Sequence, residues 1–290
     1  MKRVLVVYKK TALQRYGDDD PRIKRLLTEG DASVASLRSA HEAHLDTIER
    51  ARATLAKLGV KATFRHHSRS NGSKWDLVIT LGGDGTLLWT SHIVDSETPV
   101  VAINSAPGSS VGYFCAGDRS DVENTIDAAL NGKLRPTRLA RMEVRIDGSI
   151  VHTRILNDIL FCHRSPAATT RFLIRYGEVQ ESHTCSGIWA GPAAGSTAAQ
   201  RSAGGRILPI GSQKLQWVVR EVYRPGDIKL QLAKGLVAAG ETLSIKSKMR
   251  RGRIYFDGDQ KTLDIDIGSE ITLRRSEESL HILGLKSRGR

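Results

Sequence analysis

Apolar residues fall into two textures along this chain. In the first half, short runs that are apolar throughout alternate with longer segments of helical period. Val4 to Tyr8, Leu77 to Leu81 and Pro99 to Asn104 read as strands buried on both faces, and Val60 to His66 as a further short strand. Between them Val34, Leu37, His41, His44, Ile48, Ala51, Leu55 and Leu58 recur at steps of three and four. This spacing predicts a helix over 32–58, closed by Gly59. A helix is expected to begin over Leu87 to Val94, and another spans Asp121 to Asn131, with Val122, Ile126, Ala129 and Leu130 on one side. Residues 9–31, with Asp18-Asp19-Asp20-Pro21, read as a polar loop. Apolar strands alternating with helices predict a parallel sheet covered by helices, whose ligands sit at the carboxyl ends of the strands. Gly82 to Thr86 and Asn104 to Gly112 both leave strands at that end.

From about Leu139 the texture changes to short alternating runs. They are Met142 to Ile146, Val151 to Phe161, Phe172 to Tyr176, Gly187 to Ala190, Leu215 to Val222, Glu241 to Lys246, Arg253 to Asp257, Glu270 to Leu273 and Leu280 to Leu283. Gly, Pro, Asn and Asp separate them, which predicts an antiparallel all-β domain. The expected fold class is therefore α/β plus all-β. A parallel α/β domain over 1–136 precedes a β-sandwich-like domain over 137–290, with a return of the extreme C-terminus to the first domain left open.

Composition narrows this picture. With 290 residues and 40% hydrophobic content the chain can build large cores, so global disorder is excluded. No apolar run approaches the roughly 20 residues of a membrane helix. The apolar stretch at the N-terminus is too short for a secretory signal and reads as a first strand. Cys115, Cys162 and Cys185 are odd in number, widely spaced and without metal-ligand spacing, so reduced thiols in a cytoplasmic protein are expected. The net charge of +13, from 44 Lys plus Arg against 31 Asp plus Glu, favours an acidic partner. The densest basic run, Lys246 to Arg253, reads as a solvated hairpin tip; no aromatics interleave with it, which argues against nucleic acid. His41 and His44 read as helix-surface residues rather than ligands.

Three constellations carry candidate chemistry. In Gly82-Gly83-Asp84-Gly85-Thr86, glycines let backbone N–H groups approach phosphate while Asp84 can orient a hydroxyl or a metal ion. Neither G-x-x-x-x-G-K-[ST] nor G-x-G-x-x-G after the first strand is present, which excludes a P-loop enzyme and a standard dinucleotide dehydrogenase. Asn157-Asp158 places an amide and a carboxylate inside an apolar run, where they suit ribose hydroxyls or a base edge, or mark a bulge or edge position. Gly195-Ser196-Thr197-Ala198, followed by Ser202-Ala203-Gly204-Gly205, offers N–H groups and hydroxyls, or forms an ordinary turn.

In this order the three segments resemble the NAD kinase family, with its GGDGT, Asn-Glu and Gly-Ser-Thr-Ala segments and a later Asp-Gly-Gln turn, here Phe256-Asp257-Gly258-Asp259-Gln260. The resemblance covers nearly the whole chain. The long Asn104 to Gly112 loop and Ser186-Gly187 are similar to the mitochondrial-type branch. Ser186, Ala199 and Asp158 depart from the usual Asp, Tyr and Glu, all where the family holds the acceptor. The resemblance implies ATP- and Mg²⁺-dependent phosphorylation of NAD(H) at the 2′-hydroxyl of the adenosine ribose. It also implies a homodimer or higher homo-oligomer, with neither nucleic acid nor membrane as partner. Asp84 would be catalytic, and Gly82, Gly83, Gly85 and Thr86 would bind phosphate. Asn104, Gly112, Tyr113, Phe114, Asn157, Asp158, Ser186, Gly195, Ser196, Thr197 and Ala198 would bind substrate. Three alternatives remain at this point: a lipid kinase of the diacylglycerol or sphingosine type, a kinase of another nucleoside-like acceptor, and a non-catalytic dinucleotide-binding protein.

Overall fold

The structure is a computed structural model and describes residues 2–17, 20–66, 75–223, 226 and 229–286. The chain forms two compact units, Met1–Thr137 with His281–Arg290, and Arg138–Leu280. The first part of the chain holds strands β1 (Val4–Tyr8), β2 (Ala62–His66), β3 (Leu77–Gly82), β4 (Val100–Asn104), β5 (Gly117–Asp118) and β6 (Pro136–Leu139). Its helices are α1 (Pro21–Glu29), α2 (Ala35–Lys57), α3 (Asp84–Ser91) and α4 (Val122–Leu130). There follow β7 (Met142–Ile146), β8 (Ser149–Ile155), β9 (Ile159–His163), β10 (Thr170–Tyr176), β11 (Val179–Cys185), β12 (Gly187–Pro192), a short helix α5 (Ala199–Ser202), β13 (Leu215–Arg220), β14 (Lys234–Val237), β15 (Thr242–Ser247), β16 (Gly252–Phe256), β17 (Thr262–Ile265) and β18 (Glu270–Arg275). The last strand is β19 (Leu280–Leu283).

Among the described residues, one sheet has the order β2-β1-β3-β4-β19-β6, with β5 also on β4. Strands β1, β2, β3, β4 and β5 pair in parallel. Their apolar runs are buried along their whole length in β3 and β4, as strands covered on both faces should be. Helix α2 buries Ile48, Ala51 and Leu55 against this sheet's core, with Val4, Val6, Ile79, Leu81, Val101 and Ile103. It ends in a Schellman motif: Gly59, at φ +66°, donates to Ala56 O, and Val60 donates to Leu55 O. Two expectations fail here. Residues 9–31 are not a loop, since a π-helical turn covers Leu13–Gly17 and α1 covers Pro21–Glu29. Helix α1 is held by local devices, an Asp20 N-cap that accepts from Arg22 N and Pro21 in its first turn; its short stripe of Ile23, Leu26 and Leu27 lies among charged residues and is only partly buried. Asp18 and Asp19 lie outside the described residues. Strand β19, expected among the antiparallel strands, pairs in parallel with β4 through Ile282 and Val100.

The second unit is a sandwich of two antiparallel sheets, β11-β10-β15-β18-β7-β8 and β14-β13-β12-β9-β16-β17. Their inner faces share one core, in which Met142, Phe172, Ile245 and Leu273 of the first meet Phe161, Ile188, Trp217 and Phe256 of the second. Strand β11 was not expected, because its sequence VQESHTC is polar; its inward positions are His183 and Cys185, both buried. The run Lys246 to Arg253 is not a hairpin tip. It carries the chain from β15 in one sheet to β16 in the other and buries Met249. The expected strand over 151–161 is two strands, β8 and β9, broken at residues 156–158. All three cysteines are free thiols, and burial pushes Cys185 up to about 11. Among the described residues, no helix is long and apolar enough to cross a membrane.

Candidate active site

Strand β3 delivers the chain to Gly82, Gly83 serves as N-cap, and α3 begins at Asp84 rather than at Leu87. Asp84 therefore sits in the first helical turn, where a carboxylate is favoured by the helix dipole. Its two oxygens accept backbone N–H groups, Tyr113 N at 2.8 Å and Phe114 N at 3.0 Å. Each oxygen keeps a further lone pair for a hydroxyl or a cation. The glycines are required for space. A Cβ on Gly82 would lie 2.1 Å from Thr86 Oγ1, and one on Gly83 would lie 2.1 Å from Ser110 Oγ. Thr86 N–H is taken by Gly83 O at 3.0 Å and Gly82 belongs to the strand, so neither is a free phosphate donor as expected. The N–H groups of Gly83, Asp84 and Gly85 have no acceptor among the described residues.

The loop after β4 is built around Asn104, whose Nδ2 donates to Ser110 O at 2.9 Å and whose Oδ1 accepts from Ala106 N at 3.2 Å. Gly112, at φ +61°, packs against the Asn104 amide so closely that a Cβ would meet Nδ2 at 2.5 Å. Asn104 thus shapes the loop that presents Tyr113 and Phe114 to Asp84. The Phe114 side chain is 3% exposed and packs edge-on against Tyr113, so Phe114 serves the site through its backbone. Sequence reasoning missed the support beneath this loop. His44, read as a surface residue, is fully buried: its Nδ1 lies 2.7 Å from Ser105 Oγ and its Nε2 2.9 Å from Lys9 O. A carbonyl can only accept, so Nε2 carries the proton and Nδ1 accepts from the serine. Burial lowers His44 to about 4, so the ring is neutral.

The second unit holds the other candidates. Asn157 and Asp158 occupy the break between β8 and β9. Asp257, at φ +49°, accepts there from Leu156 N, Asn157 N and Asp158 N at 2.8, 2.7 and 2.9 Å, and returns its own N–H to Asp158 O. Asn157 Oδ1 is buried and, among the described residues, without a partner. Asp158 is 6% exposed; burial, then the neighbouring Asp257 charge, raises it to about 7. Gly195 lies in a 3-10 turn, Ala193–Thr197, with its Cα against the Asn157 carbonyl: a Cβ there would be 1.8 Å from Asn157 O. Ser196 is fully buried, donating to Ala193 O at 2.7 Å and accepting from Leu208 N at 2.9 Å. Its hydroxyl holds the turn instead of facing a ligand. Thr197, Ala198 and Ser186 are half-buried, and Ser186 N donates to Arg220 O. Among the described residues, no group of three or more His, Cys, Asp or Glu could hold a metal ion. A Mg²⁺ would instead take Asp84 as a single protein carboxylate beside phosphate oxygens and water, which suits a hard cation.

Comparison with known proteins decides the family. The model of the ATP-NAD kinase N-terminal domain matches residues 25–134. A probable NADH kinase of Oryza sativa subsp. japonica is 36% identical over 229 residues, 72% of this chain and 70% of the relative. The chain belongs to the NAD kinase family. An NADH kinase of Arabidopsis thaliana is 30% identical over 229 residues, 71% of this chain and 72% of the relative. Among solved structures, an NAD kinase from Archaeoglobus fulgidus in complex with ATP superposes with a TM-score of 0.67 at 22% identity, covering 97% of this chain and 92% of its own. Yeast NADH kinase complexed with NADH gives 0.70 at 18% identity, covering 99% and 84%. These two likenesses establish the fold, the two-part α/β and all-β architecture of NAD kinases.

Proposed function

We propose that this kinase transfers the terminal phosphoryl group of ATP to the 2′-hydroxyl of the adenosine ribose of NAD or NADH, giving NADP or NADPH. The observation that carries this reading is Asp84. It is a carboxylate at the start of α3, aimed by two backbone N–H groups, beside three N–H groups free to meet phosphate. Phosphoryl transfer asks a protein for such positioning and charge neutralisation rather than for covalent chemistry.

In this mechanism Gly83, Asp84 and Gly85 N–H groups take the phosphates of the donor, aided by the helix dipole. Asp84 accepts the proton of the attacking hydroxyl or orients it. A bound Mg²⁺, held by Asp84 and the phosphates, would neutralise charge on the transferring group. Asn157 and Asp158 serve the nucleoside of the acceptor: the unpartnered Asn157 Oδ1 accepts from an amino or hydroxyl group, and a protonated Asp158 can donate where an ionised one cannot. Relatives named NADH kinase make the reduced dinucleotide the first acceptor to examine. The test is to incubate the pure protein with ATP and Mg²⁺ and each of NAD, NADH, adenosine and sphingosine, and to identify products by mass. Formation of NADP or NADPH supports the reading. Phosphorylation of another acceptor, with neither dinucleotide turned over, rejects it.

A further inference from the structure

The Asn157 peptide is held at both ends by side chains from distant parts of the chain. On its N–H side is the Asp257 carboxylate, which binds three consecutive N–H groups at the strand break. On its carbonyl side is Gln200, fully buried, whose Nε2 donates to Asn157 O at 3.2 Å. Gln200 is itself fixed, because its Oε1 accepts from Gln216 Nε2 at 3.0 Å. Gln216 is locked in turn to both backbone groups of Arg206, accepting from its N–H at 2.7 Å and donating to its carbonyl at 3.1 Å. Gly191 and Gly195 keep the space clear: a Cβ at either would come within 2.1 Å of Asn157 O.

Such a buried relay of amides is costly unless every member is satisfied, and here the members named are satisfied up to one atom. That atom is Asn157 Oδ1, buried with no partner among the described residues. A rigidly held peptide with one orphaned side-chain acceptor is preorganised for a hydrogen-bond donor brought by a ligand. We infer that Asp257 and Gln200 are positioning residues that set the affinity for the nucleoside part of the acceptor, by fixing the Asn157 peptide from its two ends. This rests on the functional reading above, since it takes the acceptor to be NAD or NADH.

The test uses Asp257→Asn, Asp257→Glu and Gln200→Leu in the full-length protein. An amide at 257 puts an NH₂ group against backbone donors, and leucine at 200 removes the link to Asn157 O. KM for the acceptor should rise about tenfold or more in Asp257→Asn and Gln200→Leu, the scale for losing a hydrogen bond to a charged or buried group. KM for ATP should stay within about twofold. Asp257→Glu, which keeps the carboxylate, should recover part of the acceptor affinity. Amide hydrogen exchange provides a readout independent of turnover. The 156–158 amides should be protected in the wild type and exposed in Asp257→Asn, with a modest drop in melting temperature and the fold retained. If acceptor and ATP KM rise together, if neither rises in the folded variants, or if the 156–158 amides are unprotected in the wild type, the inference is overturned. A wild type that phosphorylates neither dinucleotide defeats the functional reading instead, and the exchange measurement still decides whether the clamp exists.

Discussion

Asp84 accepts the Tyr113 N–H at 2.8 Å, across 29 positions of sequence. With Phe114 N on its other oxygen, the carboxylate ties the loop after β4 to the start of α3, in addition to the catalytic role proposed for it. The two roles separate in Asp84→Asn. Asparagine offers one oxygen and one NH₂, so one backbone donor loses its acceptor. That should cost about 1–2 kcal/mol, visible as a modest drop in melting temperature with the fold retained. Turnover should fall by about 10² to 10⁴, the usual contribution of a positioned general base. Near-wild-type turnover by a folded Asp84→Asn protein would remove Asp84 from the mechanism.

Gly83 and Ser110 occupy one space. Gly83 has φ −100° and ψ −166°, a conformation open to any residue, so the need for glycine is steric. A Cβ there meets Ser110 Oγ at 2.1 Å and Ser110 Cβ at 3.0 Å. Gly83→Ala should therefore displace the loop that presents Tyr113 and Phe114 to Asp84, lowering turnover at least about tenfold. Removing the opposing side chain as well, in Gly83→Ala/Ser110→Gly, should restore part of it. A double-mutant cycle measures the coupling; additive losses would refute the steric account.

Local pattern and long-range structure were legible to different degrees. The strands of the first unit and helix α2 announced themselves because a continuous apolar run or a helical stripe has one economical burial. Helix α1 was missed although Ile23, Leu26 and Leu27 fall at helical spacing, because that stripe is one turn long, set among charged residues and never fully buried. Strand β11 hid behind polar residues because inward His183 stacks on Phe172 and meets Glu181 through Nε2 alone, so a polar letter fills a core position. The destination of β19 is a matter of topology, which periodicity does not encode. In the candidate site, the GGDGT segment could be found from its own residues. The Asp257 contacts join residues about a hundred positions apart, and His44 looked like a helix-edge polar residue until Ser105 and Lys9 O appeared around it. Its place on the apolar stripe was the one available signal.

His44 makes stability depend on acidity in a defined window. Its folded-state value, about 4, lies below the unfolded value of 6.5. Between these values the unfolded chain binds the proton and the native state does not, so stability falls as pH drops from about 6.5 to about 4, by up to about 3 kcal/mol. Denaturant unfolding across this range should show that slope. In His44→Asn, which does not titrate, it should flatten. The same slope in the variant would assign the acid sensitivity to other groups.

Asp158 acts with the opposite sign. Its value is raised from 3.8 to about 7, first by burial and then by Asp257. As pH rises from about 4 to about 7 the unfolded chain releases this proton while the native state still holds it. The stabilisation is full below about pH 4 and is lost as pH climbs through 7, by up to about 4 kcal/mol. Asp158→Asn fixes the neutral form. Relative to wild type it should gain stability as pH is raised from 5 to 8, since no buried charge develops beside Asp257. Its acceptor KM should lose pH dependence over the same range, because the amide remains a donor where the carboxylate ceases to be one. Equilibrium unfolding and KM for the acceptor, both measured from pH 5 to 8, check the two halves together. A wild-type acceptor KM that is flat through pH 7, with stability falling as expected, would leave the Asp158 proton as a feature of folding and remove it from recognition of the acceptor.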